Sequence, residues 1–179
     1  MPVKIGLIRH FPVEKPMPSG WMTAAELHKW RHDYELADVR HIEPDLGGVA
    51  WERCFASTVR RASVTANAIF PGAVAKTDLL REAEFTEFRT GALCLPVLVW
   101  YFIFRLSWIS GHRSQRALRD DFMKRVRTVA DELESAKVDT LVVSHGGVMA
   151  FLSAELLRRG FTGPKLRLAN HARVYVYER

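Results

Sequence analysis

Short apolar runs that alternate with helical patterns predict an α/β fold, a three-layer α/β/α sandwich around a mostly parallel sheet. Three observations carry that expectation. Residues 3–8 (VKIGLI) form a buried-strand run that ends abruptly in Arg9-His10. Residues 140–143 form a second such run, ending in Ser144-His145-Gly146-Gly147. Between them lie segments with apolar residues at helical spacing. The 179 residues fit one domain, 1–179, of a size that buries about 70% of the unfolded chain's surface.

The elements follow in order. Residues 11–20 hold Pro12, Pro16, Pro18 and Gly20 and read as a loop. Thr23 with Glu26 three residues later is a capping box that opens a helix to about Leu36. Pro44 and Gly47-Gly48 place a loop over 41–50. Arg53–Ala56 is a second strand, after which Ser57 or Thr58 is expected to cap a helix running to about Phe70, stopped by Pro71-Gly72. Val74–Lys76 is a brief third strand, and residues 80–84 a loop or short turn. Residues 93–109 (LCLPVLVWYFIFRLSWI) are the most apolar stretch, part of an insertion or lid at about 88–113. Phe122, Val126, Val129, Ala130 and Leu133 share one face of a helix over 117–135. A last helix is expected from Val148 to about Arg159, closed by Gly160, and a last strand over 172–177.

Composition narrows the function. Hydrophobic residues make up 48% and charged residues 26%, which is neither disordered nor polytopic. The net charge of +6 suits an anionic small molecule. It contains no dense basic run interleaved with aromatics, so nucleic acid is not expected as a partner. Cys54 and Cys94 are too few for a disulfide framework and fit a reducing, cytoplasmic setting. Met1-Pro2-Val3-Lys4 leads directly into the first strand without a signal-peptide pattern.

In a parallel sheet the functional crevice lies beyond the carboxyl ends of the strands. Arg9 and His10, then Ser57 with Arg60 and Arg61, then Ser144, His145, Gly146 and Gly147 all fall at such ends. Any one of them alone reads as a structural residue. Together they make an anion site, because arginine forks and helix N-terminal amides hold phosphate oxygens. A histidine among fixed cations resists protonation, which leaves a ring nitrogen free as nucleophile.

These residues resemble the histidine phosphatase superfamily, the phosphoglycerate mutase-like proteins. Leu7-Ile8-Arg9-His10 matches a strand followed by Arg-His-Gly, with Phe11 in place of glycine. Ser57 to Ala66 matches Ser-x-x-x-Arg-Ala-x-x-Thr-Ala in full, Leu80-Arg81-Glu82 matches Leu-x-Glu, and residues 144–147 match Ser/Thr-His-Gly-Gly. Asn170 resembles the closing pattern. The resemblance implies a phosphatase in which His10 attacks phosphorus and Arg9, Arg61 and His145 hold the oxygens. Gly146 and Ser57 join them at the phosphate. Glu82 protonates the leaving group, with Glu84 as rival acid. It implies no cofactor and no metal, and a small phosphorylated substrate as partner. Phe11-Pro12, the absence of an asparagine before Thr23 and the absence of a Gly-x-x-Glu-Gly segment depart from the family pattern and leave the substrate open.

Two further signals are weaker. The 93–109 stretch contains Pro96, Arg105 and Ser107 and falls short of a membrane span. It reads first as a lid or wall, in which case the leaving group is apolar in part, and next as a homodimer face or membrane contact. His28 and His32 have zinc-compatible spacing but read as solvated helix surface.

Overall fold

The computed structural model describes residues 2–84 and 90–179. In chain order it holds β1 (Lys4–Arg9), β2 (Trp21–Thr23), α1 (Ala24–Leu36), β3 (Arg53–Ser57), α2 (Arg60–Ile69), β4 (Val74–Thr77), a 3₁₀ turn (Asp78–Leu80), β5 (Cys94–Pro96), α3 (Val97–Ile109), α4 (Arg116–Ser135), β6 (Thr140–Ser144), α5 (Gly146–Arg158) and β7 (Val174–Glu178). The main sheet runs β4-β3-β6-β1-β7. Its first four strands are parallel and β7 is antiparallel to β1. The carboxyl ends of β3, β6 and β1 are therefore adjacent on one edge, with Arg9 in register with Ser144.

Period-2 alternation divides each strand between two cores. Ile5, Leu7, Phe55 and Val142 pack with Phe122, Val126, Val129 and Leu133 of α4 and with Met149 and Leu152 of α5. Ile8, Cys54, Ala56, Leu141 and Val143 face the other way, onto Ala62, Ala66 and Phe70 around α2. Gly6 lies on this second face because a Cβ there would stand 2.5 Å from the Trp51 ring. A third cluster joins Ala24 and Leu27 of α1 to Trp100 of α3. The Trp100 indole N–H donates to the Met22 carbonyl at 2.7 Å, and β2 pairs with β5 beneath it.

Thr23 caps α1 as expected. Its hydroxyl accepts from the Glu26 amide at 3.2 Å, and Glu26 accepts from the Thr23 amide at 2.8 Å. Neither Ser57 nor Thr58 caps α2. The N-cap is Val59, without a side-chain bond, because Ser57 closes the strand and accepts the Val59 amide at 3.3 Å. The last helix begins at Gly146, two residues before the expected Val148, since both glycines are helical. The two-stranded β2–β5 sheet has no period long enough to be read from sequence. The 93–109 stretch divides into β5 and α3, and residues 88 and 89 of the expected insertion lie outside the described residues. Among the described residues no helix is long and apolar enough to cross a membrane.

Candidate active site

His10 follows the last residue of β1 and is buried, 3% exposed. Its Nδ1 lies 2.7 Å from the Phe11 carbonyl, which can only accept, so Nδ1 carries the proton. Arg61 Nε–H donates to His10 Nε2 at 3.2 Å, so Nε2 holds the lone pair. The two contacts fix one neutral tautomer with its basic nitrogen toward Arg61. Burial is the main cause of a pKa lowered to about 3; the charges of Arg61 and Arg9 and the neighbouring His171 add to it, against the Phe11 hydrogen bond.

The sequence-expected replacement of glycine by Phe11 is accommodated without strain. Phe11 is buried, its amide donates to Thr65 Oγ1 at 2.9 Å, and that hydroxyl donates to the Arg61 carbonyl at 2.7 Å. Thr65 thereby ties the His10 loop to the helix that carries Arg61. The non-glycine residues with positive φ among those described are Lys137 and Ala172, so Phe11 needs no glycine angles.

His145 stands at the N-cap of α5, with its ring centroid 5.2 Å from that of His10. It is 1% exposed, and burial, then Arg61, His10 and Arg9, hold its pKa well below the usual histidine value. Ser57 Oγ is 3.0 Å from His145 Nε2. The Ser57 side chain thus fixes the imidazole from behind and does not line the cavity in front of it. Arg9 Nη1 donates to the Ala169 carbonyl at 3.0 Å, which anchors its guanidinium under Gly146.

Three buried nitrogens at this point have no hydrogen-bond partner among the described residues: Arg9 Nε, Arg61 Nη1 and His145 Nδ1. Buried polar atoms are nearly always paired. Three around one histidine lone pair form a cradle for oxygen acceptors.

Glu82 lies on the cavity wall, whereas Glu84 lies on a small neighbouring depression with His28, Arg31, His32 and Glu35. Glu82 Oε2 accepts the Gly147 amide and Oε1 the Ala83 amide, both at 3.0 Å. A Cβ on Gly147 would stand 2.3 Å from Glu82 Oε1, so a larger residue would displace the carboxylate from this position. Ser144 contributes indirectly. Its hydroxyl donates to the Leu80 carbonyl at 2.9 Å and pins the turn that presents Glu82. Among the described residues no group of three or more His, Cys, Asp or Glu side chains is placed to share a cation, His28 and His32 included.

His171 is a site residue that the sequence reading did not select. Its Nδ1–H donates to the His10 carbonyl at 2.6 Å and its ring lies 5.2 Å from the His10 ring. Asn170, selected for its position, is exposed, and its amide donates to the Tyr175 hydroxyl at 3.1 Å. The position just before the last strand was the usable signal, one residue away.

These groups open onto a cavity of about 650 Å³. Its far walls come from α1 and α3, including Trp30, Tyr34, Tyr101 and Phe104. The lid-or-wall expectation for 93–109 thus corresponds to one face of α3. The opposite face leaves Leu98, Phe102, Leu106 and Ile109 exposed.

Comparison with known proteins adds the lineage. The model of the histidine phosphatase superfamily (branch 1) matches residues 33–179. That match begins after Arg9-His10, so the first motif rests on the structure. Phosphoglycerate mutase from Bacillus anthracis str. Sterne is similar with a TM-score of 0.60 at 16% identity, over 98% of this chain and 87% of that one. A mycobacterial glucosyl-3-phosphoglycerate phosphatase has a TM-score of 0.53 at 19% identity, over 88% and 81%. A Thermus thermophilus protein has a TM-score of 0.53 at 17% identity, over 97% and 92%. Identities this low speak for the fold alone. No curated protein matches the chain. With the family model spanning most of the sequence, the chain belongs to the histidine phosphatase superfamily, branch 1.

Proposed function

We propose that this chain hydrolyses a phosphomonoester through a phosphohistidine on His10. Family membership supports an enzyme of phosphatase or mutase type. The observation that carries the finer reading is the His10 tautomer, a buried Nε2 lone pair ringed by the unpartnered nitrogens of Arg9, Arg61 and His145.

Arg61 leaves Nε2 and turns its guanidinium onto the entering phosphate oxygens. Nε2 then attacks phosphorus, the P–O bond to the leaving group breaks, and Nδ1–H to the Phe11 carbonyl stabilises the imidazole as it gains charge. Arg9, Arg61 and His145 hold the equatorial oxygens. Glu82, protonated, gives its proton to the leaving oxygen. It then takes a proton from water, which attacks the phosphohistidine, breaks the P–N bond and releases phosphate. The cations are side chains, so the proposal needs no metal. It also takes 1–179 as one domain working in a reducing compartment, which the free Cys54 and Cys94 support.

The test is hydrolysis of para-nitrophenyl phosphate between pH 5 and 8 with a chelator present, for wild type and His10→Ala. Turnover that survives the chelator and disappears in the variant is expected. Activity that requires metal would refute the mechanism. Absence of turnover in both, with stabilisation by phosphate, would identify a phosphate-binding module on the same fold.

A further inference from the structure

We infer that the cavity selects phosphomonoesters of large apolar alcohols, aryl or long-chain, over those of sugars and other polyols. The inference rests on the phosphatase reading for the position of the phosphate and concerns only the leaving group.

A phosphate on His10 fills one end of a cavity of about 650 Å³ and leaves most of it to the rest of the substrate. Two helices build that remainder. From α1, Trp30 and Tyr34 stand one turn apart with ring centroids 5.0 Å apart, close to parallel at 31°. The Trp30 indole N–H is already spent on the Pro16 carbonyl at 3.1 Å, so the ring presents its apolar face. Tyr34 reaches inward until the Arg61 guanidinium lies 5.4 Å from its ring centroid, which puts aromatic surface directly beside the phosphate cradle. From α3, Tyr101 and Phe104 supply the facing wall, and burial raises the Tyr101 hydroxyl pKa with Tyr34 as its next influence. Leu27 completes the wall between them.

A slender or flat apolar body between these rings removes apolar surface on both sides from water. A polyol in the same place gives up water for aromatic faces that cannot hydrogen-bond to most of its hydroxyls. His28, Arg31 and Glu35 of α1 and Arg105 of α3 also line the cavity, and Arg31 is engaged with the Ala83 carbonyl at 3.4 Å and with Glu35 at 3.6 Å. The phosphate cradle thus gathers at the sheet edge, while the aromatic surface is carried by α1 and α3.

The experiment compares 1-naphthyl phosphate with glycerol 3-phosphate on the full chain, for both binding by calorimetry and kcat/KM, in wild type, Tyr101→Ala and Phe104→Ala. Expected are at least about tenfold tighter binding and higher kcat/KM for the naphthyl ester, a range one pocket contact can supply. Each variant should shrink that ratio, through KM rather than kcat, with thermal melting confirming the fold. Equal preference, a preference for glycerol 3-phosphate, or a ratio unchanged in both variants would overturn the inference. Selective tight binding without turnover would keep the inference and refute the phosphatase reading. Turnover without selectivity would do the reverse, and neither ester binding would refute both.

Discussion

Lowering the pH from 7 to 5 should destabilise this fold through the same histidines that make its site. His10 is held neutral with a pKa near 3, against 6.5 in the unfolded chain. Below pH 6.5 the unfolded state therefore binds a proton that the native state refuses, and stability falls as pH falls. Over the interval from 7 to 5 the loss from His10 alone is about 2 kcal/mol. His145, also lowered well below the usual value and almost wholly buried, adds a loss in the same direction. The His10 loss alone is a sizeable share of the 5–15 kcal/mol typical of folded domains. The lowered carboxylates oppose nothing in this window: Glu155, at about 2 mainly through its hydrogen bond from Arg158, stays ionised in both states until the pH approaches 4.5. Urea unfolding at pH 7 and pH 5 in a phosphate-free buffer reads the difference directly, since a bound anion would raise the histidine pKa values. His10→Asn should reduce the pH dependence over this interval by about 2 kcal/mol, with His145 and His171 carrying the remainder. A stability equal at both pH values, or a slope unchanged in the variant, would refute the argument.

Substitutions at three positions test the site and the packing of its sheet. Gly147→Ala would drive a Cβ into Glu82 Oε1, so kcat should fall at least about tenfold. The loss should be larger for an alkyl phosphate than for para-nitrophenyl phosphate, whose leaving group needs little protonation; equal losses would deny Glu82 the acid role. His171→Ala removes the hydrogen bond to the His10 carbonyl and should cost about 1 kcal/mol of stability, measured by urea unfolding. It should also lower kcat with little change in KM, and rescue of kcat by His171→Asn would confirm a positioning role. Gly6→Ala presses on Trp51 at 2.5 Å and Val174 at 2.8 Å, and overpacking of this kind costs about 1–3 kcal/mol. Thermal melting should show a drop of several degrees, and an unchanged Tm would mean that Trp51 moves freely.

The sheet was legible because buried parallel strands are apolar runs with abrupt polar ends, as at Ile8-Arg9 and Val143-Ser144. The same logic located Arg9, His10, Arg61 and His145, and the Leu-x-Glu resemblance added Glu82; all five line one cavity. The division of labour among them was not legible. Ser57 and Ser144 share the motifs of the anion site, yet their hydroxyls reach His145 and the Leu80 carbonyl, because a strand's last residue can turn inward as easily as toward the cleft. His171 escaped because its contact is to a backbone carbonyl 161 residues away, and no local pattern encodes such a partner. The 93–109 stretch concealed a strand and a helix because α3 is apolar nearly all round, which erases the periodicity that marks a surface helix.

The position of β1 has a consequence for how the molecule comes into being. This strand precedes all others of its sheet, but its two sheet neighbours are β6 and β7, residues 140–144 and 174–178. During synthesis the N-terminal run of Ile5, Leu7 and Ile8 therefore waits, unpaired and adhesive, until nearly the whole chain has left the ribosome. Closing such distant pairs is slow. His10 follows the end of that same strand, so it meets His145 only once β6 has paired and His171 only once the segment leading into β7 has been made. The proposed site should then assemble late in folding, after β6 and the segment before β7 have joined β1.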